Sequence, residues 1–246
     1  MFASFIIPAH NEAFEIGRTL TSVFDSARAA GKPFEVIVVN DASTDRTAEI
    51  AGQAGARLLN VKIRKISAVR NAGAREARGD ILFFVDADTQ INEKTLRAAY
   101  SAVERGAAGG GAWVAFAEPV SLGVRIAMCA FSFVYMHLAR WAAGCFIYAR
   151  REAFEAAGGF DETLYACEEI VLSIALKRRG RFVLLREGVT TSGRKIRMYS
   201  SWLIIPLIGR FALHGPAIFR QREGLEWWYE GKREKALNSP PPRLEL

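Results

Sequence analysis

Short runs of β-branched and aromatic residues alternate with longer stretches of helical periodicity through the first half of the chain. Phe5-Ile6-Ile7 precedes an amphipathic stretch from about Ala13 to Ala30, and Phe34-Glu35-Val36-Ile37-Val38-Val39 precedes a helix opening near Thr44. A weaker run, Arg57-Leu58-Leu59, leads into a helix over roughly Ser67 to Ala77. Ile81-Leu82-Phe83-Phe84-Val85 is apolar throughout and is bounded by Gly79-Asp80 and Asp86, as expected of a strand buried on both faces. Strands alternating with helices predict an α/β fold with a mostly parallel central sheet flanked by helices. In open sheets of this kind ligands sit beyond the carboxyl ends of the strands, so the polar residues just after each run are the first candidates for a site.

The second half has a different texture. Gly109-Gly110-Gly111 introduces a strand near Ala112 to Ala117, and an apolar, helix-like stretch follows from about Ser121 to Ala143. Between Arg125 and Arg140 lie fourteen uncharged residues, short of the ~20 that a spanning helix needs, so a buried or interfacial helix is predicted. Trp202-Leu203-Ile204-Ile205-Pro206-Leu207-Ile208-Gly209 is also too short to span and is interrupted by proline. A strand is expected over Phe182 to Leu185, and Asn238-Ser239-Pro240-Pro241-Pro242 reads as an extended tail.

Composition narrows the classes. Half of the 246 residues are hydrophobic, enough to bury a full core. The formal net charge of +7 and pI of about 9.5 suit a phosphate-rich ligand, an anionic membrane surface or nucleic acid. The positive charge is dispersed and no nucleic-acid motif appears, which disfavours the last. Cys129, Cys145 and Cys167 are odd in number and lie in apolar stretches without C-x-x-C spacing, so neither a disulfide framework nor a zinc site is indicated and a reducing, cytoplasmic setting is expected. Met1 runs directly into Phe2-Ala3-Ser4-Phe5 without a basic leader, which reads as a first strand and not as a signal peptide.

The candidate chemistry sits at the strand ends. Asp86 and Asp88 are spaced i, i+2 after the buried run, so both carboxylates can point to one side and share a hard cation, Mg2+ or Mn2+, with positions left open for diphosphate oxygens. A solvated turn or helix cap is the competing reading of a bare D-x-D. Pro8-Ala9-His10-Asn11-Glu12 and Val39-Asn40-Asp41-Ala42-Ser43-Thr44-Asp45 put compact hydrogen-bonding groups after the first two strands. Helix capping by Asn11 and by Ser43 or Thr44 would account for one residue of each cluster and leave Glu12 and Asp41 unexplained. Arg70-Asn71-Ala72-Gly73 opens another helix, where the cation can meet phosphate.

In order, P-A-H-N-E, V-N-D-A-S-T-D, V-R-N-A-G-A, G-D-I-L-F-F-V-D-A-D-T, G-G-F-D-E and an acidic pair before a helix resemble family 2 of the glycosyltransferases, over about residues 4 to 195. The resemblance implies the GT-A fold and an inverting transfer from a nucleotide sugar, a UDP- or GDP-sugar, to a lipid-linked or glycan acceptor. Carried over block by block, Pro8, Ala9, Glu12 and Asp41 would hold the nucleoside, Arg70 would lie near the donor, and Asp86 and Asp88 would bind the metal diphosphate. Gly159, Phe160, Asp161 and Glu168 would shape the acceptor side. Glu169 stands where the family usually has an aspartate as general base; glutamate can abstract the same proton, with its carboxylate shifted by one methylene. Two acids placed favourably at a helix N-terminus are the competing reading. The lysine often found four residues before the arginine is replaced by Ile66, with Lys65 beside it, and Arg194 in Thr190-Thr191-Ser192-Gly193-Arg194-Lys195 is a candidate for the diphosphate.

The expected organisation is a GT-A domain over 1–200, with a nucleotide-binding half at 1–110 and an acceptor half at 111–200, followed by an apolar, aromatic appendage and tail over 201–246. The stretch 121–143, the Trp202 run and Trp227-Trp228-Tyr229, with Arg197, Arg210, Arg220 and Arg222, suggest peripheral contact at the inner face of a membrane. Internal packing against the sheet is the alternative. Two other functions stay open: a nucleotidyltransferase acting on a sugar phosphate, and a catalytically silent nucleotide-sugar-binding scaffold.

Overall fold

The computed structural model describes residues 1–116, 139–192 and Arg220. β1 (Ala3–Ala9) leads through α1 (Ile16–Ala30), β2 (Phe34–Asp41), α2 (Thr47–Gln53), β3 (Arg57–Val61) and α3 (Ile66–Glu76) to β4 (Ile81–Val85). The short β5 (Thr89–Gln90), α4 (Glu93–Glu104) and β6 (Ala107–Phe116) follow. Then come β7 (Phe146–Arg150), α5 (Arg151–Ala156), α6 (Glu168–Arg179) and β8 (Arg181–Thr191). The eight strands form one sheet in the order β3-β2-β1-β4-β7-β6-β8-β5. The first four run parallel. β7 is antiparallel to both β4 and β6, β8 returns parallel to β6, and β5 closes antiparallel to β8.

The sheet explains the apolar runs. β4 is paired on both sides, and every residue from Ile81 to Val85 is fully buried. Successive side chains point to opposite faces, so Phe5, Ile7, Val38, Phe83 and Val85 pack with Leu20, Leu96 and Tyr100 from α1 and α4, while Ile6, Ile37, Val39, Leu82 and Phe84 pack with Val69, Phe154 and Leu176 from α3, α5 and α6. Phe83 stacks on Phe5 with centroids 4.8 Å apart, and burying such a side chain contributes about 1.5–3 kcal/mol.

Three expectations change. The helix after β2 opens at Thr47 and not near Thr44, because residues 42–46 bond to the neighbouring loop. The glycine run does not precede a strand but lies within β6, which already begins at Ala107. A Cβ on Gly110 would stand 1.8 Å from the Val183 carbonyl oxygen and 2.6 Å from the Tyr148 hydroxyl, so only glycine allows β6 to pair there. β8 is longer than Phe182–Leu185, since an irregularity between Ala112 and Trp113 lets β6 continue pairing to Thr191.

Most of the stretch 121–143 lies outside the described residues, as do Arg194, Trp202–Gly209, Trp227–Tyr229 and the proline tail. Its described end, 139–143, is not helical. It runs along α6 instead, where Lys177 donates to the Ala139 carbonyl at 2.6 Å and Ala142 N–H donates to Ser173 Oγ at 3.0 Å.

Gly110→Ala is expected to cost about 1–3 kcal/mol or more through overpacking, read as a lower urea midpoint; an unchanged midpoint would contradict the packing described. Tyr100 gives a second prediction. Its hydroxyl is buried without a hydrogen-bond partner among the described residues, and burial pushes its pKa up from 10.0 to about 12. The unfolded chain therefore releases this proton first, so the stabilisation is complete below pH ~10 and is lost as the pH rises towards ~12. Tyr100→Phe should be neutral or stabilising by about 1 kcal/mol at pH 7 and should lose stability less steeply in alkali, measured by denaturant titration across pH.

Candidate functional site

β1, β2 and β4 end side by side, and the loops that follow β1 and β2 are stitched together by backbone groups. Asn11 N–H donates to Ser43 Oγ at 3.0 Å, and Asn11 Oδ1 accepts from Thr44 N–H at 2.6 Å. Glu12 N–H donates to Thr47 Oγ1 at 2.8 Å, and Ala13 N–H to Asp45 Oδ2 at 3.1 Å. Asn11, Ser43 and Thr44 thus do not cap helices as their residue types suggest; α1 and α2 follow Glu15 and Arg46, neither of which makes a side-chain cap. Asn11, Ala42 and Arg64 adopt φ values of 53°, 53° and 59°. Left-handed backbone at three non-glycine residues is costly, and such strain gathers where surrounding bonds over-determine a site.

Pro8 and Ala9 are buried in β1, aligned with Val39 and Asn40, and Glu12 is half-buried in the loop beyond them. Asp41 is 5% exposed. Its two carboxylate oxygens accept from Ile63 N–H at 2.7 Å and Arg64 N–H at 2.8 Å, which draws the segment after β3 over the end of β2. His10 Nδ1 lies 2.6 Å from the Asp41 carbonyl oxygen, and the Arg64 guanidinium meets His10 Nε2. The nucleoside candidates therefore belong to one ordered edge, with Asp41 as its internal anchor.

Arg70, in the second turn of α3, is 2% exposed. Nη1 donates to Glu168 Oε1 at 2.7 Å; Nη2 donates to Asp86 Oδ1 at 2.7 Å and to the Gly144 carbonyl at 2.8 Å. The Phe160 ring centroid lies 5.3 Å from the guanidinium carbon. Burial pulls the Arg70 pKa down, but the carboxylates of Asp86, Glu168 and Glu169 outweigh it and hold the pKa above the ordinary value. Arg70 does lie beside Asp86, yet it is no exposed cation awaiting phosphate: its Nη atoms serve protein oxygens and its Nε is buried without a partner among the described residues.

Asp86 and Asp88 follow β4. Asp86 N–H donates to the Cys145 carbonyl at 3.0 Å. Asp88 Oδ2 accepts from Ser192 Oγ at 3.1 Å, and Asp88 Oδ1 lies 3.5 Å from Thr191 Oγ1. The Cys145 thiol is pushed up by burial first and then by the charges of Asp86 and Asp88. Among the described residues no group of three or more His, Cys, Asp or Glu is arranged around a point. A pair of carboxylates suits a hard cation that completes its shell with phosphate oxygens and water. Thr191 and Ser192 support Asp88, a role signalled in the sequence only by the hydroxyl run Thr190-Thr191-Ser192.

On the other side, Gly158 and Gly159 end α5 with φ of 84° and 73°. Asn71 holds the turn that follows: its Oδ1 accepts from Phe160 N–H at 3.0 Å, and its Nδ2 donates to the Phe160 carbonyl and to Glu162 Oε1, each at 2.9 Å. Phe160 is core, packed edge-on to Phe84 at 4.9 Å, and Asp161 accepts from Thr163 within its own turn. Lys65 is drawn to this side as well, donating to the Glu162 carbonyl at 2.7 Å and lying 3.9 Å from the Tyr165 ring centroid. Glu168 and Glu169 open α6; the first is buried on Arg70 and the second half-buried. A Cβ on Gly144 would stand 3.6 Å from Arg70 Nη2 and 3.7 Å from Glu169 Cδ, in ordinary contact with both, so Gly144 borders Arg70 and Glu169 alike.

The profile of glycosyl transferase family 2 matches residues 4–158. An undecaprenyl-phosphate 4-deoxy-4-formamido-L-arabinose transferase of Edwardsiella ictaluri is 31% identical over 113 residues, covering 43% of this chain and 34% of that protein. The chain spans about a third of the length of the curated relatives it matches. The mannosyltransferase PcManGT from Pyrobaculum calidifontis, solved with GDP-Man and Mn2+, superposes with a TM-score of 0.67 at 21% identity, covering 85% of this chain and 63% of that one. Staphylococcus aureus TarS, solved with UDP-GlcNAc, gives a TM-score of 0.63 at 19% identity over 78% of this chain and 58% of that one. At these identities the likeness establishes the fold, which is GT-A.

Asp41→Asn places an N–H2 donor against one of two backbone donors, so a loss of about 1–3 kcal/mol is expected in urea unfolding. Full stability in this variant would remove Asp41 as the anchor of residues 63–64.

Proposed function

The chain belongs to glycosyl transferase family 2, and from that premise we propose that it moves a sugar from a nucleotide diphosphate sugar to an acceptor hydroxyl, with inversion and with a divalent cation. The observation that carries this reading is that Arg70 bonds Asp86 beyond β4 and Glu168 at the start of α6, which brings the end of β4 and the helix turn bearing the half-buried Glu169 to one guanidinium. The end of β4 suits a diphosphate and its metal, Glu169 an acceptor proton.

In the proposed reaction Pro8, Ala9, Glu12 and Asp41 line the nucleoside at the ends of β1 and β2. Asp86 and Asp88 hold Mg2+ or Mn2+, which when bound neutralises charge gathering on the departing diphosphate. Glu169 accepts the proton of the acceptor hydroxyl as its oxygen bonds to the anomeric carbon, and the bond to the nucleotide diphosphate breaks on the opposite face. Residues 1–110 form the donor half and 111–200 the acceptor half, with 201–246 as an appendage. Gly159, Phe160 and Asp161 shape the acceptor side as a preformed turn, and Arg194 is the candidate that would close on the diphosphate.

The donor is a UDP- or GDP-sugar, in keeping with the nucleotides bound by the solved structures of like fold. The acceptor is lipid-linked or a glycan, as suggested by a relative named for undecaprenyl phosphate. No helix among the described residues is long and apolar enough to cross a membrane. Contact with a lipid acceptor is proposed to be peripheral on the composition of the apolar and aromatic stretches 121–143, 202–209 and 227–229 with their flanking arginines.

With Mn2+ and the accepted UDP- or GDP-sugar, Glu169→Gln should lower kcat by about 10²–10⁴-fold while leaving nucleotide affinity within a few-fold. Unchanged turnover would remove Glu169 as base. A wild-type chain that binds nucleotide but transfers no sugar to any acceptor would point to the silent scaffold.

A further inference from the structure

Glu168 was expected to face the acceptor, yet it is 4% exposed and its carboxylate is spent on Arg70. Three pieces of chain distant in sequence meet on one planar cation: the start of α6 through Glu168, the end of β4 through Asp86, and the approach to β7 through Gly144. A guanidinium carries its N–H donors in a fixed fork, so holding Nη1 on one side fixes where Nη2 points on the other. Loss of either carboxylate would leave the buried Arg70 with one of its two ion-pair partners among the described residues. Glu169, whose charge Arg70 also feels, is the next residue of the helix that Glu168 anchors.

We propose that Glu168 is a positioning residue: by holding Arg70 it fixes the metal-bearing end of β4 and the Glu169 end of α6 as one body, so that events at Asp86 are felt at the start of α6. The functional part of this inference rests on the roles assigned above to Asp86 and Glu169. The mechanical part rests only on the hydrogen bonds around Arg70 and can be tested without ligand.

The experiment compares wild type, Asp86→Asn, Glu168→Gln and the double variant by deuterium exchange of peptides covering residues 167–172, with circular dichroism to confirm folding. Asp86→Asn alone should speed exchange there by threefold or more, and by clearly less when added to Glu168→Gln. Equal effects of Asp86→Asn in both backgrounds, or no effect in either, would overturn the coupling. Should Glu168→Gln not fold, Glu168→Asp keeps the charge while withdrawing the carboxylate and serves in the same cycle. Titration with Mn2+ plus UDP and Mn2+ plus GDP then reads the functional part. Nucleotide should slow exchange at 167–172 in wild type but not in Glu168→Gln, at affinities within threefold. Equal slowing in both would overturn it. In transfer assays Glu168→Gln should lower kcat tenfold or more with donor KM within threefold, and Glu168→Asp should recover part of the loss. A wild type that binds neither nucleotide would sink the glycosyltransferase reading, with the ligand-free cycle still deciding the coupling.

Discussion

A guanidinium buried beyond the carboxyl end of β4 sets the terms for everything around it. Taking Arg70 out of water is costly, and the cost is offset only because two carboxylates and a carbonyl oxygen accept its protons at 2.7–2.8 Å. Each acceptor imposes a local condition. Glu168 must enter α6 from a left-handed Cys167, with φ of 61°. Gly144 must bring its carbonyl close, and a Cβ there would already be in van der Waals contact with Arg70 and Glu169. Asn71, the next residue of α3, fastens the Gly159–Glu162 turn, so one turn of helix secures both the charged cluster and the aromatic wall beneath it.

The topology makes that meeting possible. β7 enters antiparallel between β4 and β6, so its first residues arrive where β4 ends, carrying Gly144 and Cys145 to Asp86. β8, parallel to β6, delivers Thr191 and Ser192 to Asp88. A sheet continued by parallel strands alone would place helices, not strand beginnings, beside the Asp pair. The small residues of β6 follow from the same arrangement, because the strand lies between β7 and β8 with the Val183 carbonyl and Tyr148 hydroxyl pressed against Gly110.

Much of this was legible in the sequence, and the limits have a physical cause. The β4 run, the first two strands and the polar clusters after them are visible because a strand buried on both faces leaves an uninterrupted apolar record, and its end is marked by the first polar residue. What a sequence does not carry is the direction of a side chain. Arg70 reads as a phosphate ligand by type and position, and becomes a buried clamp only through partners 16, 74 and 98 residues away. Asn11, Ser43 and Thr44 have the chemistry of helix caps and spend it on one another across two loops. The glycine run reads as the lead-in to a strand and not as part of one, since steric pressure from flanking strands leaves no mark on the glycines themselves.

The two halves of the candidate site are therefore built by different means. The donor edge is fixed by backbone donors closing on Asp41, Asn11 and Thr47, with three strained residues held in place by those bonds. The opposite side is fixed by the ion cluster on Arg70, by the helix that cluster anchors and by the Asn71 bonds to the Gly159–Glu162 turn. A glutamate in place of aspartate changes reach by a methylene, and a site defined by backbone mesh would leave little room for that change. A site whose neighbour is Gly144 and whose helix is held by Glu168 can absorb it, because the space beside position 169 is lined by a residue without a side chain. Under the proposed role, the departure at Glu169 and the glycine at 144 are two parts of one fit.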